Sequence, residues 1–182
     1  MPAQLNDAEM EHVQPADLAP VGCAHQAFVS GPATGIPGVV APNDFPFAFV
    51  ANAAFDALTE WVEAGTPPAH AAVIEVAGTP QAIVRDAFGN ALGGVRTPFL
   101  DLPTATYVPF DTVAHTTTFS GFCVLYGYNI PFDPVRLRSL YKNHGDYVSR
   151  FVQESAALVE QGFWLHPDAV DAIQRAVHAD VP

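Results

Sequence analysis

Residues 85–107 read RDAFGNALGGVRTPFLDLPTATY, and this stretch decides what kind of structure the chain forms. Five glycines and prolines interrupt an otherwise apolar sequence. The stretch is too rich in glycine for a helix and too interrupted for a long strand, because glycine supplies backbone angles that other residues resist. It therefore predicts an ordered loop that follows one particular path.

Four charged side chains lie in this loop: Arg85, Asp86, Arg96 and Asp101. In one interpretation, an Arg/Asp pair lines a pocket. We favour the other, in which the four side chains brace the loop through hydrogen bonds to its backbone and to one another. The loop contains no obvious set of catalytic groups.

The segments around the loop predict an α+β fold that is mostly helical with a small β-hairpin. Phe47 to Ala64 has helical spacing, with Asn43 and Asp44 as candidate caps and Gly65 at its end. The hairpin is centred on Gly78-Thr79-Pro80. The apolar stripe of the first helix comprises Phe47, Val50, Ala54, Leu58, Trp61 and Val62.

The C-terminal third predicts three more helices. The first follows Asp133-Pro134, the second runs from about Gly145 to Gln161, and the third runs from His166 to about His178. At the start of the second, we expect His144 to hydrogen-bond backbone carbonyls. Residues 1–20 predict a polar arm, and residues 21–182 predict a single domain or the C-terminal segment of a longer one.

The charge balance limits the partners. Seven basic and 19 acidic residues give a net charge of -12, which argues against nucleic acid and anionic membranes, since both are bound through Lys and Arg clusters. The sequence shows no secretory signal and no run of roughly 18 apolar residues. Only 14% of residues are charged, against roughly a quarter in soluble proteins, which indicates apolar surface covered by another domain or subunit.

Catalytic groups are sparse. A hydrolase serine on a strand-to-helix elbow needs the pattern G-x-S-x-G, and Ser120 is the nearest imitation. The seven histidines stand singly without zinc-site spacing, so we predict no metal and no cofactor. Cys23 and Cys123 are expected to be small buried hydrophobic residues, with a disulfide or a thiol nucleophile as the alternative. The other serines, also outside the pattern, are Ser30, Ser139, Ser149 and Ser155.

Three long segments follow one another in the chain, and their combination and order are specific. They are NAAFDALTEWVEAGTPP (52–68), the loop, and CVLYGYNIPFDPVRLRSLYKNHGDYVSRFVQESAALVEQGFWLHPDAV (123–170). Together they resemble the C-terminal region of alpha/beta hydrolase domain proteins, from about Val21 to Ala172. The resemblance implies that Gly22-Cys23-Ala24-His25 matches the element carrying the triad histidine. His25 would then be the general base for a serine, and the helix from Phe47 would close the core sheet.

The sequence departs from that family in one respect. The nucleophile elbow, the acid and the oxyanion loop should precede the histidine, and 24 residues precede His25. The chain is then a fragment of a longer hydrolase, a subunit that docks on a polypeptide carrying the nucleophile, or a non-catalytic module using the aromatic segment 110–132 as its contact surface. We expect the first: the C-terminal part of a serine-type hydrolase that acts on an ester or amide and is incomplete alone.

Overall fold

The computed structural model describes residues 41–109 and 127–182. This part of the chain is mostly helical with small antiparallel strand groups, so the predicted α+β class is confirmed. The predicted polar arm, residues 1–20, lies outside the described residues. In chain order the described elements are β1 (Ala41–Pro42), α1 (Phe47–Ala64), β2 (Val76–Ala77), β3 (Ala82–Ile83), α2 (Pro98–Asp101), β4 (Ala105–Val108), β5 (Tyr128–Pro131), α3 (Pro134–Leu140), α4 (His144–Glu160) and α5 (His166–His178).

The chain divides into two compact units, and the described residues of the first are 41–44, 107–109 and 127–131. Its β1 pairs antiparallel with β5, in the sheet order β1-β5-β4. The Asn43 side chain donates to Val108 O over 3.3 Å, and the Asn129 side chain donates to Asp44. Asn43 and Asp44 thus use their polar groups inside this unit.

The second unit contains Phe45–Thr106 and Phe132–Pro182, and α1 is its first helix. The helix has the predicted bounds, and Gly65 ends it with φ 72° while its N–H donates to Trp61 O. The predicted caps are wrong: Pro46 occupies the cap position, and no side chain caps the helix. Asn43 and Asp44 have the partners described above instead.

The orientation of α1 also differs from the prediction. Phe49 and Ala53 are its buried residues, and the Phe49 ring packs edge-on against Trp164 at 5.6 Å between centroids. Because the core lies on that side, most of the predicted stripe faces away from it. The exposed members are Phe47, Ala54, Leu58, Trp61 and Val62.

The predicted hairpin is confirmed. Strands β2 and β3 pair antiparallel, with Val76 opposite Ile83. Gly78 takes a positive φ of 84° in the turn, a conformation that glycine adopts without steric cost.

The three C-terminal helices begin and end close to their predicted positions. The Asp133 carboxylate caps α3 by accepting from the backbone N–H groups of Val135 and Arg136, and it keeps a pKa below its usual range because of those bonds. The Asn143 side chain caps α4 by accepting from Asp146 N. Each cap satisfies backbone donors that a helix start leaves free.

An aromatic cluster fills the core of the second unit. Phe151 of α4 is fully buried, and the Phe99 and Tyr147 rings pack against it at 5.1 and 5.8 Å between centroids. Phe132 is buried in the same core. It therefore cannot belong to the predicted contact surface at 110–132, whose residues 110–126 lie outside the described part.

Candidate functional site

The predicted catalytic histidine, His25, lies outside the described residues, as do Cys23, Cys123, Ser30 and Ser120. Their roles stay predictions. The described residues do include the whole loop 85–107, with the charged groups assigned to it.

The loop begins with a tight turn held by one carboxylate. Asp86 Oδ1 accepts from the N–H groups of Phe88 and Asn90, both at 2.9 Å. Gly89, with φ 85°, lies between those two donors, and the Arg85 guanidinium donates to its carbonyl at 2.8 Å. This pattern is the side-chain-to-backbone bracing that aspartate provides in turns.

Arg96 holds the middle of the loop to both of its carboxylates. Its guanidinium donates to Asp86 Oδ2 at 2.9 Å, to Asp101 Oδ1 at 2.5 Å, to Leu100 O at 3.2 Å and to Ala91 O. Burial alone would lower the pKa of Arg96, but hydrogen bonds and charges from Asp101 and Asp86 raise it. These contacts agree with the bracing interpretation, because they use both ends of the guanidinium inside the loop.

Gly93 lies directly against the backbone of a neighbouring segment. It has φ 78°, and a Cβ placed there would lie 2.0 Å from Val73 O. Only glycine fits both the backbone angle and the space. One of the glycines that predicted the loop therefore also permits close backbone packing.

Helix α3 anchors the loop from outside, through a residue that the sequence analysis missed. The Arg136 guanidinium lies 3.9 Å from the Phe132 ring centroid and 5.5 Å from that of Phe88, and it donates to Ala87 O at 3.4 Å. Cations over aromatic faces are attracted by the ring quadrupole. No local spacing signals this contact, since Phe88 and Arg136 are distant in sequence.

One acid near the loop has an altered proton affinity. Burial, together with the negative charge of Asp101, raises the pKa of Glu154 on α4, while Arg150 and Arg96 oppose the shift. On α5, burial raises the pKa of Asp168, whose carboxylate accepts from Asn52 at 3.1 and 3.2 Å. Neither acid is paired with a nucleophile in these contacts.

The side chains of Ser139, Ser155 and His144 bond to backbone carbonyls. Ser155 is buried and donates to Phe151 O, and Ser139 donates to Arg136 O. His144 Nε2 lies 3.1 Å from Val177 O, which confirms the prediction that its ring satisfies a backbone carbonyl. These groups bond to the backbone, as expected at helix positions and helix ends.

Neither a candidate metal site nor a candidate membrane span occurs among the described residues. Its His, Cys, Asp and Glu side chains form no group of three placed to hold a metal ion. Among its helices, none has the length and hydrophobicity needed to span a bilayer.

Comparison with known proteins identifies the family of this chain. The model of the alpha/beta hydrolase domain family matches residues 8–174, which include the braced loop, the aromatic core and the segment around His25. The chain belongs to the alpha/beta hydrolase domain family. No curated protein and no solved structure matches it significantly. In this chain, the loop 85–107 is a structural element braced by its own charged side chains.

Proposed function

We propose that this alpha/beta hydrolase domain chain takes part in serine-type hydrolysis of an ester or amide, with His25 as the general base. The observation that carries the proposal is the family match over residues 8–174, which spans the Gly22–His25 segment. Hydrolases of this fold place the triad histidine after the serine and the acid in chain order. His25 stands in the element that resembles the histidine loop.

The nucleophile in this proposal comes from a polypeptide segment other than these 182 residues. None of the five serines has the G-x-S-x-G pattern that a strained elbow requires. The hydroxyls of Ser139 and Ser155 are already bonded to carbonyls of their own helices. A serine held in this way is not poised to attack a carbonyl carbon.

His25 makes two proton transfers in acylation and repeats them when water attacks the acyl-serine and the serine oxygen departs. Its imidazole takes the proton of the serine hydroxyl as the serine oxygen attacks the carbonyl carbon of the substrate. It then gives that proton to the departing alcohol or amine as the carbon–leaving group bond breaks. The Arg96-braced loop supports the scaffold and carries no chemical step.

Two assays test the proposal with the purified chain. We expect no hydrolysis of p-nitrophenyl acetate or butyrate above a His25→Ala control, and no labelling by a fluorophosphonate probe, which reacts with activated serines. His70→Ala is the matched histidine control, because His70 is exposed in the described structure. If the chain alone hydrolyses the ester and His25→Ala abolishes that activity, the chain contains all the catalytic groups, contrary to the proposal.

Complementation tests the role of His25 directly. The chain is co-expressed with the polypeptide encoded immediately upstream, and esterase activity and probe labelling are measured on the purified mixture. We expect joint activity that falls on the order of 10³-fold or more with His25→Ala and is unchanged with His70→Ala. Joint activity that survives His25→Ala contradicts the assignment of the general base.

A second candidate function is a non-catalytic interaction module derived from the same family. One observation favours it: the outward face of α1 exposes large apolar side chains, including Phe55 at 70% and Val62 at 78%. Under this alternative, both esterase assays stay negative in every combination of polypeptides.

A further inference from the structure

Helix α1 packs against the core on one side and carries large apolar side chains on the other. Phe49 and Ala53 are its buried residues. Single exposed apolar residues are ordinary, but a row of large ones on one helix marks an interaction surface. We call this row the outer stripe, and its members are Phe47 (61% exposed), Phe55 (70%), Leu58 (47%), Trp61 (52%) and Val62 (78%).

The outer stripe lies on the side of α1 opposite its acids. At 3.6 residues per turn, the five side chains fall within an arc of roughly 120° around the helix axis. The charged residues of α1 are Asp56, Glu60 and Glu63, and the same geometry places them on the far side, in the direction of Phe49. The outer face is therefore uncharged along the whole helix.

The distribution of charge argues against a lipid surface and in favour of a second copy as the occupant. Helices that lie on membranes carry Lys or Arg on their polar face, whereas the polar face of α1 is acidic and residues 47–84 contain no Lys or Arg. Two copies of the outer stripe meet without opposing charges, because the acids lie away from the contact.

The side-chain sizes on this face also fit a second copy. Ala51 and Ala54 leave a shallow region between the large residues at the two ends of the stripe. In an antiparallel helix pair with its two-fold axis between positions 54 and 55, Leu58 of each copy lies opposite Ala51 of the other, and Val62 lies opposite Phe47. Large side chains then fill the shallow regions, which suits close packing of two helices in an isologous contact. A parallel pair would place Phe47 against Phe47 and leave the alanines facing one another.

We propose that the outer stripe is the contact of a symmetric dimer, in which α1 packs antiparallel against α1 of a second copy of this chain. The three exposed aromatic side chains, at about 150–250 Å² each, present roughly 300–450 Å², to which Leu58 and Val62 add. This area is below the roughly 800 Å² per partner of a standard interface, so the dimer is weak and depends on concentration. The dimer goes beyond the hydrolase proposal and requires no catalytic step.

Sedimentation equilibrium of the full chain, from about 1 µM to 1 mM, measures the dimer. We expect the weight-average mass to rise with concentration from 19.4 kDa towards twice that value. Leu58→Asp should raise the dissociation constant about tenfold or more, since the symmetric contact then buries two unpaired charges. Val135→Asp is the matched control, because it adds the same charge at an apolar residue that is 71% exposed on α3. Circular dichroism checks that each variant retains its helix content.

A charge pair tests the antiparallel arrangement. Leu58→Glu alone should weaken the dimer, and Ala51→Lys in the same chain should restore most of the lost affinity. The reason is that the carboxylate at position 58 then faces the ammonium at position 51 of the other copy. Thr59→Lys with Leu58→Glu makes the same charge change at an exposed position beside the stripe and should restore little.

The salt dependence separates an apolar contact from one made through charges. Added salt should leave the dimer intact or tighten it, because it screens the repulsion between two copies that each carry a net charge of -12.

Four results would overturn the dimer proposal. They are a mass of 19.4 kDa at every concentration, self-association unchanged in Leu58→Asp, equal recovery with Ala51→Lys and Thr59→Lys, and a dimer that salt dissociates. None of these measurements involves activity, so the hydrolase proposal keeps its own test through His25.

Discussion

The conformation of the loop depends on Arg96 more than on any other single side chain. It joins two carboxylates and two backbone carbonyls, and its side chain is 21% exposed. Planar guanidinium groups make such multiple bonds in fixed directions, whereas a lysine ammonium is a point charge on a flexible stem. The geometry of the loop therefore depends on arginine and not on positive charge alone.

Arg96→Lys should lower the free energy of unfolding by about 1–3 kcal/mol, the range for leaving a buried hydrogen-bonding group without its partner. The lysine keeps the charge but leaves several acceptors without donors. Urea denaturation followed by circular dichroism measures the change, and Arg138→Lys on the exposed side of α3 is the control. Equal stability of the two variants would contradict the bracing role.

At the residue scale, the sequence predicted the role of the loop charges but not their partners. Composition and turn chemistry favoured bracing by Asp86 and Arg96, and the contacts agree. The Arg136 contact with Phe88 and Phe132 was not predictable, because it joins segments that only the folded chain brings together.

Among the elements, α4 contributes most to the core. Its buried residues include Tyr147, Phe151 and Leu158, which lie on one side at helical spacing. Val152, the residue after Phe151 along the helix, is 38% exposed. Neighbouring positions on this helix thus differ sharply in how much their side chains contribute to the buried core.

Phe151→Ala should lower the free energy of unfolding by about 3–5 kcal/mol, since it removes buried area and leaves a cavity. Val152→Ala, one position further along the same helix, should cost well under half as much. Chemical denaturation of both variants checks the difference. If the two costs were similar, the aromatic cluster around Phe151 would not be the core that the structure shows.

For α1, the sequence predicted the extent of the helix but not its orientation. The pattern, Gly65 and Thr66-Pro67-Pro68 set its length by local rules. Periodicity shows that a face is apolar, but it does not show what that face contacts. The side of α1 that carries Phe49 packs against the core, so most of the predicted stripe is exposed.

At the scale of the whole molecule, stability at high pH depends on two buried phenols. Burial raises the pKa of Tyr147 to about 12. It also raises the pKa of Tyr141, with the charge of Tyr147 adding to the shift. The Tyr141 hydroxyl donates to Pro103 O at 3.0 Å, which ties α3 to the end of the loop.

Because the unfolded chain ionises these phenols near pH 10, their neutral forms favour the folded state. This contribution is full below pH 10 and is lost as the pH rises towards 12. We expect the free energy of unfolding to fall by roughly 1–3 kcal/mol over that range, and the slope to decrease in Tyr147→Phe. Urea denaturation at several pH values, with absorbance at 295 nm to follow tyrosinate, measures both. A slope unchanged in Tyr147→Phe would contradict the assignment.

The sequence by itself determined where α1, α3, α4, α5 and the hairpin lie, how α3 is capped and why the loop needs glycine, because these depend on neighbouring residues in the chain. It did not predict the short helix α2 or strand β4, which lie in the stretch predicted as loop. It also carried the family, through long segments in a fixed order. The tertiary structure decided which side of α1 is buried, why Asn43 and Asp44 do not cap it, and how Arg136 anchors the loop. Those outcomes depend on contacts between segments distant in sequence, whose free energies local patterns do not contain.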